Sequence, residues 1–506
     1  MAKIYATPGV YIEEKSAFPN SAVPVSTAVP AFIGYTEKAV RGKKNLTNIP
    51  TRISSYGEFL LHFGEGPKTT YSLKKTGTGS FELSPKSQLF FLHHCMKMFF
   101  ANGGSDCYVV SVGGYEATIR IEDFRSEGQG DASPKGISCL LKEPEPTMVI
   151  IPDAVLLPES DCFTLQKLML QHCGTEMRNR IAILDIFDGF KKRTNDKHDL
   201  VHKFRNNIGS EGLSYGAAYY PWLHTTVTGA DLVDLGNLSS EDDSHQVLQQ
   251  LLLEDLAKDQ KQGSISDEKA QAIESEIKKI EKGGAGDDIN TLHQTLLLVS
   301  PLYKEIMKEL RGAINLLPPS GAMAGIYAMV DNSVGVHQSP ANVSVGSVVK
   351  PAVDISNNEQ EDLNVPLDGK AVNAIRTFPG KGVLVWGART LDGNSMDWRY
   401  ISVRRTVIFI EQSIKYAIEP YVFEPNVAAT WSNVKALVSN FLTNVWSSGA
   451  LAGATADEAF SVDVGLGTTM TPVDILDDLM RVTVKIAVTR PAEFIVLTFQ
   501  QQMQKS

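Results

Sequence analysis

Between positions 434 and 445 the apolar residues Val434, Leu437, Val438, Phe441, Leu442 and Val445 recur at i, i+3, i+4, i+7, i+8 and i+11. With 3.6 residues per turn, only a helix gathers that set into one stripe. Further on, Val482, Val484, Ile486 and Val488 alternate with Thr483 and Lys485, the two-residue period of a strand with one covered face. The spacing predicts a helix over 426–448, capped by Asn426 and stopped at Gly449. It also predicts a strand over 481–489 and, past Pro491, a last strand from Phe494 through Val496 to Phe499. Neither element can bury its apolar side alone, so the two pack together as a two-layer α/β domain.

Upstream, apolar runs alternate with helical patterns. Ala31–Tyr35, Cys107–Val112, Met148–Ile151, Arg180–Phe187 and Tyr215–Trp222 read as strands. Ser54–Phe63, Ser87–Ala101, Phe163–Cys173 and Val201–Gly209 read as helices. This succession predicts a parallel or mixed sheet with helices on its faces, a mixed α+β fold in a multi-domain chain. Residues 64–80 and the acidic stretch Asn357–Asp368 read as loop. From about 228 to 300 the composition turns to Asp, Glu, Gln and Lys, predicting an exposed helical insertion with helices over Val247–Leu256 and Glu268–Lys282. Such a run is either a solvated face or a decoration presented to the outside. Ile306–Leu316 reads as a helix, and the small residues of Gly321–Asp331 suit a closely packed one.

The 506 residues carry a formal charge of −10, which argues against nucleic acid as the main partner, since phosphate binding needs a basic face. No apolar run reaches the length of a membrane helix. The start lacks a secretory pattern, because Pro8 and Glu13–Glu14 interrupt it. Five cysteines without a CxxC pair suit reduced thiols and synthesis in a bacterial cytoplasm. No phosphate loop, HExxH or GxSxG motif is present, and no catalytic, cofactor-binding or metal-binding residue is assigned. His93, His94 and Cys95 are adjacent on a predicted helix and diverge by about 100° per residue, so they do not converge on one ion.

The segment 379–412 organises the rest: Val383–Trp386 as a buried strand, Asp392–Ser395 as a turn, then Trp398–Ile410 as a strand turning helical towards Gln412. It contains VWGARTL followed by WRYISVRRTVIFIEQSI, and here the chain resembles the contractile tail sheath proteins of phages and related injection systems. KIYATPGVYIEE, LFFLHHCMKMFFANGGSDCYVVSV and PPSGAMAGIYAMVDNSVGVHQSPAN agree with it, in family order. The resemblance implies a subunit that polymerises with itself around an inner tube protein, bounded by baseplate and cap proteins, in a phage tail or tail-like particle that can be released from the cell. It implies an amino-terminal arm over 1–27, an outer α/β region over 28–380 and an inner domain over 381–506. Ile4, Tyr5, Val10, Tyr11 and Ile12 are the candidate arm, read from sequence alone either as a strand of the chain's own sheet or as one donated to a neighbour. The carboxy-terminal strands, Val482–Val488 with Phe494 and Val496, are the candidate acceptor. Asn433, Lys435, Asn440 and Asn444 on the polar side of the 426–448 helix are candidates for the tube contact, the alternative being an ordinary core helix. Trp386, Arg389, Trp398, Arg404 and Arg405 carry the sheath-like motif; the arginines read either as surface or paired residues on a strand or as supports for subunit contacts. An α/β enzyme with dispersed catalytic residues, or another self-assembling tail or capsid component, are the alternative functions.

Overall fold

The computed structural model describes residues 23–77, 80–126, 133–194, 196–280, 287–494 and 496–497. The chain divides into two compact units: Ser26–Arg405 with the residues from Pro491 on, and Thr406–Arg490 with the residues up to Val25. The division falls at 405/406 rather than at the expected 380/381. The reason is that the strand over 382–385 completes the sheet of the larger unit, so 381–405 belongs there.

In chain order the strands are β1 (Pro30–Gly34), β2 (Val40–Arg41), β3 (Lys44–Asn45), β4 (Thr51–Ile53), β5 (Tyr71–Gly77), β6 (Ser80–Pro85), β7 (Cys107–Ser111), β8 (Met148–Ile150), β9 (Ile181–Asp185), β10 (Gly216–Tyr220), β11 (Leu223–Thr225), β12 (Leu316–Leu317), β13 (Val343–Ser344), β14 (Val348–Pro351), β15 (Asn373–Phe378), β16 (Gly382–Val385), β17 (Phe460–Val464) and β18 (Val482–Ile486). The larger unit is built on a nine-stranded sheet in the order β13-β16-β15-β10-β9-β8-β1-β7-β4. Its middle, from β7 to β15, is parallel, and antiparallel strands close both edges. Every residue of β1, β7, β8, β9 and β10 is buried. That is why these strands appear in the sequence as apolar runs rather than alternations: helices cover both faces of a parallel sheet.

The helices are α1 (Tyr56–Phe63), α2 (Leu92–Ala101), α3 (Glu159–Gln171), α4 (Leu200–Asn207), α5 (Ser244–Lys261), α6 (Asp267–Ile277), α7 (Asp287–Val299), α8 (Pro301–Ile314), α9 (Ser320–Ser333), α10 (Asn357–Asn364), α11 (Ile401–Ile418), α12 (Ala428–Ser447), α13 (Ala456–Ala459) and α14 (Pro472–Leu476). The small residues of α9 let it lie against α2. A Cβ at Gly325 would stand 2.5 Å from the Phe99 carbonyl oxygen, and one at Gly321 2.7 Å from that of Cys95.

Several local expectations are overturned. Tyr71–Gly77 and Ser80–Pro85 pair as the antiparallel strands β5 and β6 rather than forming loop; Tyr71 and Leu73 are buried in a core shared with α5 and α8. The 228–300 segment is therefore more than an exposed insertion, since its Leu248, Leu251, Ile277 and Leu296 are buried in that shared core together with Ile306 of α8. The acidic stretch after Ser356 is helix α10. The Ser356 side chain accepts from the Glu359 N–H, and the Glu359 carboxylate accepts from the Ser356 N–H, a reciprocal cap that offsets the poor composition. Residues 401–410 are helical throughout. Their β-branched side chains favour strand only weakly, and nearly complete burial of the first turns of α11 decides the matter. Val427, not Asn426, precedes α12; Asn426 instead accepts from Trp431 Nε1 at 2.7 Å and donates to the Leu479 carbonyl at 3.1 Å.

Candidate assembly interface

The smaller unit has a simple construction. The stripe on α12 is buried as the spacing requires, with Val434, Val438, Phe441, Leu442 and Val445 packed on Ile410, Leu451 and Val462. Over this core lies the antiparallel pair β17–β18, from Phe460 opposite Ile486 to Val464 opposite Val482. Val482, Val484 and Ile486 lean on the core, while Thr483 and Lys485 are exposed. Val488 bridges to Leu451 just beyond the strand. β17 carries no strong alternation of its own, and sequence reasoning missed it. Among the described residues the sheet has two strands only. A lone pair is marginal in water, and its outer edges leave main-chain groups for another strand.

Of the candidate arm, Ile4, Tyr5, Val10, Tyr11 and Ile12 lie outside the described residues. Phe494 and Val496 are exposed and are not in a strand, whereas Val482, Val484 and Ile486 lie in β18, with Val488 just beyond it. Pro491–Phe494 instead belong to the larger unit and line a groove of about 1000 Å³ there, with Trp386, Val365 and Tyr400. Asn433, Lys435, Asn440 and Asn444 are all exposed, on the side of α12 away from its stripe.

The three motif arginines are buried and engaged by groups of the same chain, and Arg404 and Arg405 sit on helix α11 rather than on a strand. Arg389 pairs with Glu493 at 2.6 Å. Asn364 and Tyr400 also donate to that carboxylate, at 2.6 and 3.1 Å. Burial works against the charge of Glu493, and these donors outweigh it, holding the carboxyl below its usual range. Arg404 stacks between Trp398 and Tyr215, its guanidinium carbon 3.5 and 4.3 Å from the ring centroids. Arg405 grips Asp331 with two bonds of 2.8 and 2.5 Å and donates to the Thr27 carbonyl at 2.9 Å. Trp386, by contrast, is 38% exposed, stacked on Phe378. Glu493, Asp331 and Tyr215 could not be paired with these arginines from sequence, since 74 to 189 positions separate the partners.

Two further carboxylates are buried at the ends of parallel strands. Asp153 accepts from the Phe91 and Tyr35 N–H groups and Asp185 from the Ser320 N–H, at 2.6, 3.1 and 2.9 Å. Burial pushes Asp153 up to about 6 and Asp185 up to about 7. Phe91 and Ser320 stand at the starts of α2 and α9 and Tyr35 directly follows β1, so these carboxylates tie two helix starts and a strand end. His93 and His94 are both buried, and burial pushes both well below the ordinary histidine range. Among the described residues no group of three His, Cys, Asp or Glu could hold a metal ion. All five cysteines are buried and free, and no described helix is long and apolar enough to cross a membrane.

Comparison with known proteins points the same way. Residues 394–502 match the phage tail sheath C-terminal domain. The tail sheath protein of Vibrio phage KVP40 is 24% identical over 168 residues, a match spanning 33% of this chain and 24% of that protein. The sheath of an extracellular contractile injection system, solved as the PVC sheath complex in its contracted state, is 25% identical with a TM-score of 0.59, covering 99% of both chains. The helical sheath of the anti-feeding prophage, also contracted, is 25% identical with a TM-score of 0.56, covering 99% of this chain and 100% of that one. Over its carboxy-terminal part the chain is thus similar to the phage tail sheath C-terminal domain, and over 99% of its length its fold is similar to that of contractile sheath proteins.

Proposed function

We propose that the chain is the repeating subunit of a contractile sheath, polymerised around an inner tube and capable of shortening to drive that tube through a target envelope. Its role is mechanical rather than catalytic. The β17–β18 pair carries the reading: a two-stranded sheet among the described residues, on the domain that matches the sheath family. Strand addition is the natural use of such an edge, because main-chain hydrogen bonds supply affinity without demanding a particular side-chain surface. Residues 4–12 of a neighbouring copy supply the missing strand. Neighbours then stay tied through their main chains while side-chain interfaces exchange between two arrangements, and the free-energy difference between those arrangements drives shortening. The polar face of α12, with Asn433, Lys435, Asn440 and Asn444, faces the tube, and a baseplate and a cap bound the polymer.

Deleting residues 1–14 tests this. Electron micrographs of the purified full-length chain are expected to show striated cylinders. The truncated chain is expected to remain folded by circular dichroism and to sediment as a monomer. Unchanged cylinders from the truncated chain refute the arm exchange.

A further inference from the structure

The smaller unit also exposes an apolar surface that the strand exchange does not use. Tyr421–Glu424 form a turn closed by the Glu424 N–H on the Tyr421 carbonyl at 3.1 Å. Val422 has φ −65° and ψ 130°, and Phe423 has φ 71°. This is a type II turn, whose third position calls for glycine or asparagine because φ is positive there. A bulky residue in that region is an outlier, yet the Phe423 side chain is fully exposed.

Phe423 is not isolated. Asn426 donates to the Leu479 carbonyl, joining this turn to the segment that follows α14. Val473 and Leu476 are three apart on α14 and share a face. Val422, Phe423 and Val427 on the one segment and Val473, Leu476 and Leu479 on the other are all between 44% and fully exposed. Large apolar side chains left open together, with polar residues around them, mark a protein contact. The exposed charges on these two segments are mostly acidic: Glu419, Glu424, Asp477 and Asp478, with Arg481 paired to Asp474 of α14 at 2.9 Å.

The same chain carries a surface of complementary character. Around the β2–β3 hairpin, which turns at Gly42 with φ 63°, Lys38, Arg41, Lys43 and Lys44 are exposed, with Glu58 3.8 Å from Arg41. The aliphatics Val40 and Leu61 are 40% and 67% exposed, and His62 of α1 meets the Val40 carbonyl at 3.3 Å. We infer that the Phe423 turn and α14 form a second, side-chain-mediated contact between copies of this chain, seated on the basic, aliphatic β2–β3 surface of a neighbour. The contact joins unlike patches, so it propagates into an open polymer rather than closing as a dimer. Being made of side chains, it is of the kind that can break and re-form while exchanged strands hold. The inference rests on the reading of the chain as a polymerising subunit.

Phe423→Gly separates assembly from folding. Glycine relieves the turn, so the melting temperature of the unassembled chain is expected to rise by a few degrees, while the critical concentration for polymer, measured by sedimentation, rises at least tenfold. Glu424→Lys with Asp477→Lys is expected to raise it similarly at 50 mM salt. Adding Lys43→Glu and Lys44→Glu to that same chain is expected to restore assembly. If the wild-type chain polymerises and Phe423→Gly leaves the critical concentration unchanged, the inference is overturned and the sheath reading stands. Failure of the fourfold charge exchange to restore assembly overturns the choice of the β2–β3 surface. Failure of the wild-type chain to polymerise at all removes both readings.

Discussion

Removing the carboxylate of Asp331 is expected to be the most damaging single change near the sheath motif. Its side chain is 1% exposed and that of Arg405 4%, so Asp331→Ala strands a guanidinium away from water. What remains to it is the Thr27 carbonyl and the face of Tyr327, 4.8 Å from the ring centroid. Burial opposes the charge of Arg405, and Asp331 outweighs it, holding the group above its ordinary range. Breaking one side of such a pair costs about 3–5 kcal/mol, whereas replacing both sides by apolar residues of similar volume is often neutral. With a urea slope of about 3 kcal/mol/M or steeper for a unit of this size, the unfolding midpoint of Asp331→Ala falls by about 1 M. Arg405→Met combined with Asp331→Leu recovers most of that loss. The assay is urea unfolding of the unassembled chain, followed by tryptophan fluorescence, with Trp222 and Trp398 reporting on the larger unit. If Asp331→Ala shifts the midpoint no more than the double replacement does, the argument from an uncompensated buried charge fails.

The buried carboxylates predict a pH dependence. The folded-state value of Asp185 is raised by burial to about 7. Its contribution to stability is therefore complete below the unfolded value of about 3.9 and is lost as pH rises through 7. Asp185→Asn keeps an oxygen for the Ser320 N–H without titrating, so its stability relative to wild type is expected to grow from pH 5 to pH 8, towards an upper figure on the order of 4 kcal/mol. Parallel melting curves for the two proteins across that range refute the assignment. Arg404→Lys removes the flat group held between Trp398 and Tyr215; a loss of about 1–2 kcal/mol in the same urea assay is expected, and a loss as large from Arg399→Lys would deny the stacking any special weight.

How much of this was legible depends on the range over which the signal acts. The α12 stripe and the β18 alternation are local patterns, and the structure keeps both. The apolar runs of β1, β7, β8, β9 and β10 likewise announced a covered sheet. Where a residue's local preference and its surroundings disagree, the sequence misleads. Ile401, Val403, Thr406, Val407 and Ile408 look like strand, and become helix because their whole neighbourhood is buried. The β5–β6 hairpin is hidden in Gly-, Thr- and Lys-rich residues because its apolar partners, such as Leu248 and Ile306, come from far along the chain.

By itself, the order of residues determined the class of fold, the buried face of the last long helix and the chain's resemblance to sheath proteins, because period and motif are properties of neighbours in sequence. Only the tertiary structure decided that Arg389, Arg404 and Arg405 turn inward to Glu493, to Trp398 and Tyr215, and to Asp331. It also decided that Phe423 turns outward against the preference of its own backbone. The charge of an arginine says nothing of where its partner lies, and the hydrophobicity of a phenylalanine says nothing of whether its own chain can cover it. Both are settled by which distant segments the fold brings within a few ångströms.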